Sequence, residues 1–485
     1  MTPKQLFSYQ TVAELAEVAE VSETAGSEQG VVTGTLPLTP IQHWFFEQNF
    51  VDPQHWNMAL LLEASQPLHA GYLQKAVQKI VAHHDMLRCR FVQTDTGWPR
   101  RINTIQRGWQ AKILTAGGMV PFSHIDLSSF SEGEQNSAMQ AKAAEMQASL
   151  DLSEGQLLRV VYFDCGAQQP HRLLLIAHHL VIDGVSWRIV LEDLHTAYGQ
   201  LNRGEKAKFP AKTTSFKQWA EKLAAHAQSE IPREETDFWL KRNHAANTVL
   251  PVDYANGRSA NTMVSARTVT TALDADETRA LLQEIPKAYN TQIDDVLLTA
   301  LVQVFSAWTG VSSLPVDLEG HGREDILNEV DLSRTVGWFT TIYPVHLMLQ
   351  ANNNSGEALK SIKEQLRHIP NRGIGYGLLH YLNDDRRMIE KLRAMPQPEV
   401  SFNYLGQFGQ ALPDTAIFSM VEGDTGPVCN PNAKRTHLLE ITARITRDCL
   451  QVEWIYSEKV HRRATIENLA QQYVDALRAL TGHCR

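Results

Sequence analysis

The sequence predicts a mixed α/β protein with more than one domain, and two observations support this fold class. The chain has 485 residues, which is more than one compact hydrophobic core normally holds. Short apolar runs of strand length alternate along it with amphipathic stretches of helical period, an order typical of α/β folds. Hydrophobic residues make up 43% of the chain, so each domain can bury a core of ordinary size.

The first predicted lobe spans residues 36–212. Apolar residues at helical spacing predict a helix over Ala70 to His83. Similar patterns predict strands over residues 88–92, 157–164 and 173–176, and helices over residues 135–150 and 187–201. The polar, charged stretch Asn202 to Lys212 marks the end of this lobe.

The second predicted lobe spans residues 213–485 and begins with helices over residues 215–242. Asp294 to Thr309 is apolar on nearly all sides, which predicts a buried core helix. A strand over residues 314–318 and a closing amphipathic helix over residues 465–480 follow. Ahead of both lobes, residues 1–21 form a short amphipathic piece, and residues 22–35 have the composition of a linker.

Composition and residue spacing exclude several classes of protein. With 45 basic and 54 acidic residues the formal net charge is −9, which argues against nucleic-acid binding. The five cysteines are scattered without a C-x-x-C pair, so we expect free thiols in a reducing cytoplasm. No apolar stretch is long enough to span a bilayer, and the N-terminus lacks the pattern of a signal peptide. No spacing indicates a metal site, and Gly373 to Gly377 lacks the dinucleotide-binding pattern.

The most informative segment is RLLLIAHHLVIDGVSWRIVLEDL, residues 172–194. It places His178 and His179 at the end of a predicted strand, and Asp183 and Gly184 at the start of a predicted helix. Successive strand side chains point to opposite faces, so one histidine is a candidate base and the other is expected to pack. Asp183 is expected to have a structural role, either capping the helix or forming an ion pair that locks the loop.

Further segments carry candidate functional groups. Glu319 to Glu324 follows a predicted strand and is either an ordinary polar turn or the source of a second acid/base group, Glu319. Arg334 to Pro344 either lines a pocket or forms an edge strand with a glycine bulge. Ser401 to Gly406 places the amide of Asn403 beside the phenol of Tyr404. His83 to Asp85 also joins histidines to an acid, but it is expected to be only a polar helix end.

Taken together, these segments resemble the epimerisation domains of non-ribosomal peptide synthetases, which belong to the condensation-domain superfamily. The superfamily signature H-H-x-x-x-D-G reads His178-His179-Leu-Val-Ile-Asp183-Gly184 here. Five further segments match the family in its own order across almost the whole chain: PIQHWF (40–45), EGHGRE (319–324), RTVGWFTTIYPV (334–345), NRGIGYG (371–377) and FNYLGQF (402–408).

The resemblance implies two lobes like chloramphenicol acetyltransferase, arranged in a V with a central tunnel. Residues 1–21 resemble the last helix of a peptidyl carrier domain whose modified serine lies upstream, so we expect the chain to be a piece of a larger synthetase. The implied partners are this upstream carrier, loaded with a thioester substrate, and a downstream condensation domain. The resemblance implies no cofactor or metal of the chain's own, because the carrier supplies the 4'-phosphopantetheine arm.

The implied activity is L-to-D epimerisation at the Cα of an aminoacyl or peptidyl thioester. The resemblance makes His179 and Glu319 the acid/base groups on opposite faces of Cα, without deciding which of them takes the L proton. Asn403 and Tyr404 then position the substrate or stabilise the enolate. Four residues support the site: His178, Asp183, Gly184 and Arg323, with Asp183 paired to Arg323.

Two alternatives remain open at this stage. A condensing acyltransferase on the same fold would use the same histidine, but condensation domains resemble EGHGRE and FNYLGQF poorly. A non-catalytic module that only docks a carrier would have no need of His179 or Glu319, and both are present. The identity of the amino acid and the oligomeric state stay undetermined.

Overall fold

The structure of the protein is a computed structural model. It describes residues 27–64, 66–94, 108–229, 233–242, 249–327, 329–350, 354–407, 417–421 and 423–483. The carrier-like piece predicted at residues 1–21 lies outside these ranges, as do residues 22–26 of the predicted linker. In the rest of that segment Val32 is buried and a strand begins at Gly34, so this part packs onto the first lobe.

The first half of the chain alternates strands and helices as predicted. In chain order its elements are β1 (Gly34–Leu36), α1 (Pro40–Glu47), β2 (Asn57–Ala64), α2 (Ala70–His83), β3 (Cys89–Thr94), β4 (Gly108–Ile113), β5 (Phe122–Asp126), α3 (Glu132–Gln147), β6 (Leu158–Asp164), β7 (His171–His178) and α4 (Gly184–Asn202).

The second half opens with helices and continues as a second α/β unit. Its elements are α5 (Phe216–Gln228), α6 (Arg233–Arg242), β8 (Ala266–Ala272), α7 (Ala275–Tyr289), α8 (Ile293–Thr309), β9 (Ser313–Gly320), β10 (Thr341–Met348), α9 (Ser355–Arg367), α10 (Ile374–Gly377), α11 (Arg386–Arg393), β11 (Val400–Gln407), β12 (Phe418–Met420), β13 (Leu439–Thr446), β14 (Cys449–Ser457) and α12 (Arg463–His483).

The strands form three sheets in the described part of the chain. A three-stranded sheet has the order β1-β4-β3, and a five-stranded sheet has the order β12-β2-β7-β6-β5. The second half forms a six-stranded sheet of order β10-β9-β11-β13-β14-β8. Strand β12 comes from the second half but pairs antiparallel with β2 of the first half, so the two halves share a sheet.

Each half has its own hydrophobic core. Helix α8 lies in the second core with ten buried residues, which confirms the predicted core helix. The first core is completed by residues of the second half, among them Leu332, Val336 and Trp338. The halves are therefore packed together through a shared core as well as a shared sheet. Within the described ranges, no helix combines the length and the apolar character needed to cross a bilayer.

His83 to Asp85 lies at a helix end, as predicted, because α2 ends at His83. His84 and Asp85 are nevertheless buried. Nε2 of His84 lies 2.8 Å from Oδ2 of Asp193, and Asp85 pairs with Arg88. These partners compensate the burial of polar groups. Asp193 lies 109 residues from His84 in the chain, so a local sequence pattern does not reveal that pair.

The same region brings together three potential metal ligands, His83, His84 and Asp193, with ligand atoms within 4.8 Å of one another. Both carboxylate oxygens of Asp193 already have partners, because Oδ1 lies 2.5 Å from Nη2 of Arg334. Burial lowers the pKa of His83 to about 4. The cluster is thus a largely buried polar network that connects α4 to the loop before β10.

Candidate active site

A cavity of about 600 Å³ lies between the two lobes and is lined by side chains from both. Its volume is typical of small-molecule sites. On the side of the first lobe, its wall includes the start of α4, and on the other side it includes the ends of β9 and β11 and the start of α8. Five of the residues named from the sequence line it: Asp183, Gly184, Glu319, Asn403 and Tyr404.

His178 ends β7 and is fully buried. Its Nδ1 accepts a hydrogen bond from the backbone N–H of Leu180, and its Nε2 lies 2.8 Å from the carbonyl oxygen of Pro53. Burial lowers the pKa of His178 to about 3, so the ring is neutral at physiological pH. Because the backbone engages both ring nitrogens, these contacts agree with a packing role.

His179 begins a short 3-10 turn, and its backbone N–H donates to the carbonyl of Trp56. Its ring centroid lies 4.4 Å from that of Trp338, and its Nδ1 is buried without a hydrogen-bond partner in the described structure. Burial lowers the pKa of His179, partly opposed by the charge of Asp183, which favours the neutral, proton-accepting ring. His179 is not among the residues that line the cavity, whereas Asp183 and Gly184 are.

Asp183 caps α4 and braces the histidine loop. Its Oδ1 accepts from the backbone N–H of Ser186 at 2.7 Å, and its Oδ2 accepts from that of Phe339 at 3.1 Å. Nη2 of Arg323 lies 3.3 Å from Oδ1, so the ion pair that the resemblance implies is present together with the helix cap. The guanidinium of Arg323 also donates to the carbonyls of Leu332 and Thr335. The brace therefore connects the first lobe to the second.

The loop after β9 makes this brace possible. Gly322 has a φ of 68°, a left-handed conformation that favours glycine. A Cβ at this position would overlap the carbonyl oxygen of Phe339. The guanidinium carbon of Arg323 lies 3.9 Å from the centroid of the Phe339 ring. The sequence EGHGRE thus forms a tight turn, and this turn places the guanidinium of Arg323 against the first lobe.

Glu319 lies on β9 at the cavity wall and is the candidate acid/base group of the second lobe. Burial raises the pKa of Glu319 to about 7; nearby Asp317 and Glu440 raise it too, while His437 and Asn403 lower it. A carboxyl with this pKa exchanges its proton readily near neutral pH, as a general acid or base requires.

Asn403 and Tyr404 lie on the neighbouring strand. β11 runs parallel to β9 with Ser401 opposite Asp317, which places Asn403 beside Glu319. Nδ2 of Asn403 donates to Oε2 of Glu319 at 2.7 Å. After Tyr404 the pairing of β11 with β13 becomes irregular, and both Asn403 and Tyr404 line the cavity. Burial raises the pKa of Tyr404 to about 12, so its phenol keeps its proton and is able to donate a hydrogen bond at neutral pH.

Both sequence interpretations of Arg334 to Pro344 describe part of what is found. β10 is the edge strand of the six-stranded sheet, and Thr340 and Tyr343 line the cavity.

Gly373 to Gly377 enters a short helix, without the strand that precedes a dinucleotide-binding loop.

Sequence reasoning missed the polar groups behind Glu319. Nε2 of the buried His437 lies 2.8 Å from Oδ2 of Asp317. Arg435 pairs with Glu440 at 3.1 Å. The position of Asp317 two residues before Glu319 on one strand was an available signal, because residues i and i+2 share a face. His437 gave no such signal, since it reaches the site from the loop before β13.

A family model described as "Condensation domain" matches residues 32–485. One of the linear gramicidin synthase proteins of Brevibacillus parabrevis is 46% identical over 100% of this chain, which corresponds to 6% of that protein. Tyrocidine synthase 2 of the same organism is 37% identical over 99% of this chain and 13% of its own length. The chain thus spans a small fraction of the curated relatives that it matches.

Solved structures share the fold. The epimerization domain from the third module of tyrocidine synthetase B has a TM-score of 0.84 at 35% identity, over 94% of this chain and 98% of that one. The first condensation domain of the calcium-dependent antibiotic synthetase has a TM-score of 0.66 at 19% identity, over 93% and 96% of the two chains, a likeness of fold alone. The predicted α/β fold is confirmed, and the chain belongs to the condensation-domain superfamily of non-ribosomal peptide synthetases.

Proposed function

We propose that this protein epimerises the Cα of an aminoacyl or peptidyl thioester from L to D. The observation that carries the proposal is Glu319, a carboxyl group with a pKa of about 7 on the wall of a cavity that the histidine loop also borders. A solved structure with 35% identity to this chain is described as an epimerization domain, which supports the same choice.

The reaction requires two proton-transfer groups and one or more hydrogen-bond donors. A thioester makes the α-proton more acidic than an ester does, because sulfur donates weakly into the carbonyl. Removal of that proton gives a planar enolate, and return of a proton to the opposite face gives the inverted centre. A base, an acid on the other side and donors to the enolate oxygen each lower the barrier.

We assign these tasks to four residues. His179, whose pKa burial lowers, is the neutral base or, once protonated, the acid on one face of Cα. Glu319 serves in the complementary role on the other face. Tyr404 keeps its phenolic proton and donates to the enolate oxygen, and Asn403 orients Glu319 through their hydrogen bond. The substrate arrives on the 4'-phosphopantetheine arm of an upstream carrier domain, and a downstream condensation domain receives the product.

Access to His179 is a requirement of the proposal. The cavity includes Asp183 and Gly184 but not His179, whose ring lies against Trp338. The substrate must therefore reach the imidazole beyond the start of α4. On this path the substrate would pass the aromatic side chain of Trp338.

The test uses an aminoacyl group loaded on a separate carrier domain and incubated with this protein in deuterated water. Deuterium at Cα and a mixture of D and L products support epimerisation. Amide formation on addition of a second loaded carrier, without deuterium incorporation, would instead identify a condensing enzyme. Binding of the loaded carrier with neither reaction would identify a docking module.

The variants His179→Ala and Glu319→Gln assign the two proton-transfer groups. Each is expected to lower exchange by about 10²-fold or more while the circular dichroism spectrum is retained. Each variant should first lose removal of the α-proton from one enantiomer. Separate L and D substrates therefore show which residue takes the proton from which enantiomer. His124→Ala, a histidine on β5 outside the cavity, is the matched control. Undiminished exchange in His179→Ala would remove the histidine from the mechanism.

A further inference from the structure

Behind Glu319 lies a largely buried group of charges that does not line the cavity. It consists of Asp317 on β9, Glu440 on β13, and Arg435 and His437 in the loop before β13, all in the second lobe; Glu440 is partly exposed and the other three are buried. Neither His437 nor Asp317 is among the residues that line the cavity. These two residues therefore do not touch a substrate held in the cavity, and we expect them to act on it through Glu319.

The contacts favour a doubly protonated ring at His437. Its Nε2 lies 2.8 Å from Oδ2 of Asp317, and its Nδ1 lies 3.0 Å from the hydroxyl of Thr436, which is able to accept. Burial alone would lower the pKa of His437, but the hydrogen bond and charge of Asp317 raise it above its ordinary value. Both ring protons have an acceptor in this arrangement.

The charges of the group balance only when Glu319 is protonated. His437 and Arg435 supply two positive charges, and Asp317 and Glu440 supply two negative charges in the pairs His437–Asp317 and Arg435–Glu440. An ionised Glu319 adds an uncompensated negative charge to this buried set. The imidazolium of His437 is the positive charge that most favours that ionisation.

We propose that His437, held as an imidazolium by Asp317, is a positioning residue that permits Glu319 to cycle between its acid and base forms during turnover. This inference rests on the proposed epimerisation. Without the imidazolium, the pKa of Glu319 would be higher, and a smaller fraction of Glu319 would be ionised and able to accept a proton from substrate near pH 7.

Other ionisable groups also border this part of the cavity. Tyr404 lies on β11, Tyr343 on β10, and Asp294 at the start of α8. Burial raises the pKa of Tyr404 to about 12 and also raises that of Tyr343, so both are neutral near pH 7. Asp294, whose pKa burial raises to about 6, is not among the charges that shift the pKa of Glu319. The imidazolium of His437 is therefore the group that the experiment removes.

The experiment measures the protonation of Glu319 directly and then its effect on exchange. Infrared difference spectra against Glu319→Gln follow the carboxyl band of Glu319 as pH changes, in the wild type and in His437→Gln. Loss of the imidazolium should move the midpoint upward by about one pH unit, because one nearby positive charge is removed. His437→Gln combined with Asp317→Asn restores the balance of charge, so its midpoint should return toward that of the wild type.

The pH profile of α-deuterium exchange supplies the second readout. Its Glu319-dependent limb should move with the infrared midpoint in His437→Gln and return in the double variant. His461→Gln, which replaces a buried histidine 3.8 Å from Asp253 and outside the cavity, should move neither. An unmoved midpoint, or a moved midpoint with an unmoved exchange limb, would overturn this inference alone. Absence of exchange in the wild type would overturn the proposed function and the positioning role together.

Discussion

Two carboxyl groups on opposite sides of the cavity, Asp183 and Glu319, have contrasting surroundings. Asp183 accepts hydrogen bonds from two backbone N–H groups and pairs with Arg323. Glu319 accepts one hydrogen bond, from Asn403, and faces two further carboxyl groups, Asp317 and Glu440. Donors and a cation compensate the charge of the first, whereas burial and like charges favour the neutral form of the second.

This difference separates a structural carboxylate from a candidate catalytic one. A carboxylate with a hydrogen-bond donor on each oxygen and a guanidinium beside it is suited to bracing a loop. A carboxyl whose pKa lies near neutrality is suited to exchanging protons, and such groups are concentrated in functional sites. The charge and number of their partners distinguish Asp183 from Glu319.

The largest expected effect follows from removal of the brace. In Asp183→Ala, the guanidinium of Arg323 stays buried without its carboxylate, and α4 loses its cap. We expect a loss of about 3–5 kcal/mol in the free energy of unfolding, together with loss of exchange. Thermal or urea unfolding followed by circular dichroism measures the change.

Two variants make this prediction specific. Asp183→Asn keeps an acceptor for the Ser186 N–H and should be less destabilising than Asp183→Ala. Glu205→Ala breaks an exposed pair with Arg203 and should leave the melting temperature unchanged. If Asp183→Ala melted with the wild type, the structural role of Asp183 would be refuted.

The second prediction concerns the effect of the raised pKa of Glu319 on the free energy of unfolding. Its pKa in the folded protein, about 7, lies above the ordinary value of 4.5. Below pH 4.5 both the folded and the unfolded chain hold the proton. As pH rises toward 7 the unfolded chain releases it first, so the folded state loses up to about 3 kcal/mol relative to a neutral residue. Relative to the wild type, Glu319→Gln should thus become progressively more stable from pH 4.5 to pH 7, with little further change above.

Melting temperatures of the wild type and Glu319→Gln across pH 4.5–8 measure this difference. Glu154→Gln, which removes an exposed carboxylate outside the cavity, is the matched control. A stability difference that is constant across this pH range would contradict the pKa assigned to Glu319. Glu319→Gln should also have little exchange at any pH, since glutamine cannot transfer the proton.

Much of the fold could be predicted because its signals are local. The spacing of apolar residues gave helix α8 to within one residue of its start, and the strand–loop–helix at His178 to Gly184 followed from a short apolar run and a capping aspartate. These features depend on neighbours within a few positions. The joining of β12 to the first sheet gave no such signal, because its partner β2 lies more than 350 residues earlier in the chain.

The site divides in the same way. His178, His179, Asp183 and Glu319 belong to short motifs, so the sequence identified them. His437 contacts Asp317 across 120 residues, and Trp338 packs on His179 from the other lobe, so only the folded chain brings these pairs together. The exposed fraction of a side chain was also unpredictable where it depends on a distant partner. His84, for example, is buried against Asp193.

The smallest expected effect distinguishes a hydrogen bond from a charge at Glu319. The bond from Asn403 favours the ionised carboxyl, so Asn403→Ala should raise the pKa of Glu319 further above 7, by up to about one unit. The pH dependence of α-deuterium exchange measures the shift. Ser401→Ala, two residues before Asn403 on the same face of β11, should leave the pH dependence of exchange unchanged. A shift toward lower pH in Asn403→Ala would mean that the amide stabilises the protonated carboxyl, which is the reverse of what the backbone donors do for Asp183.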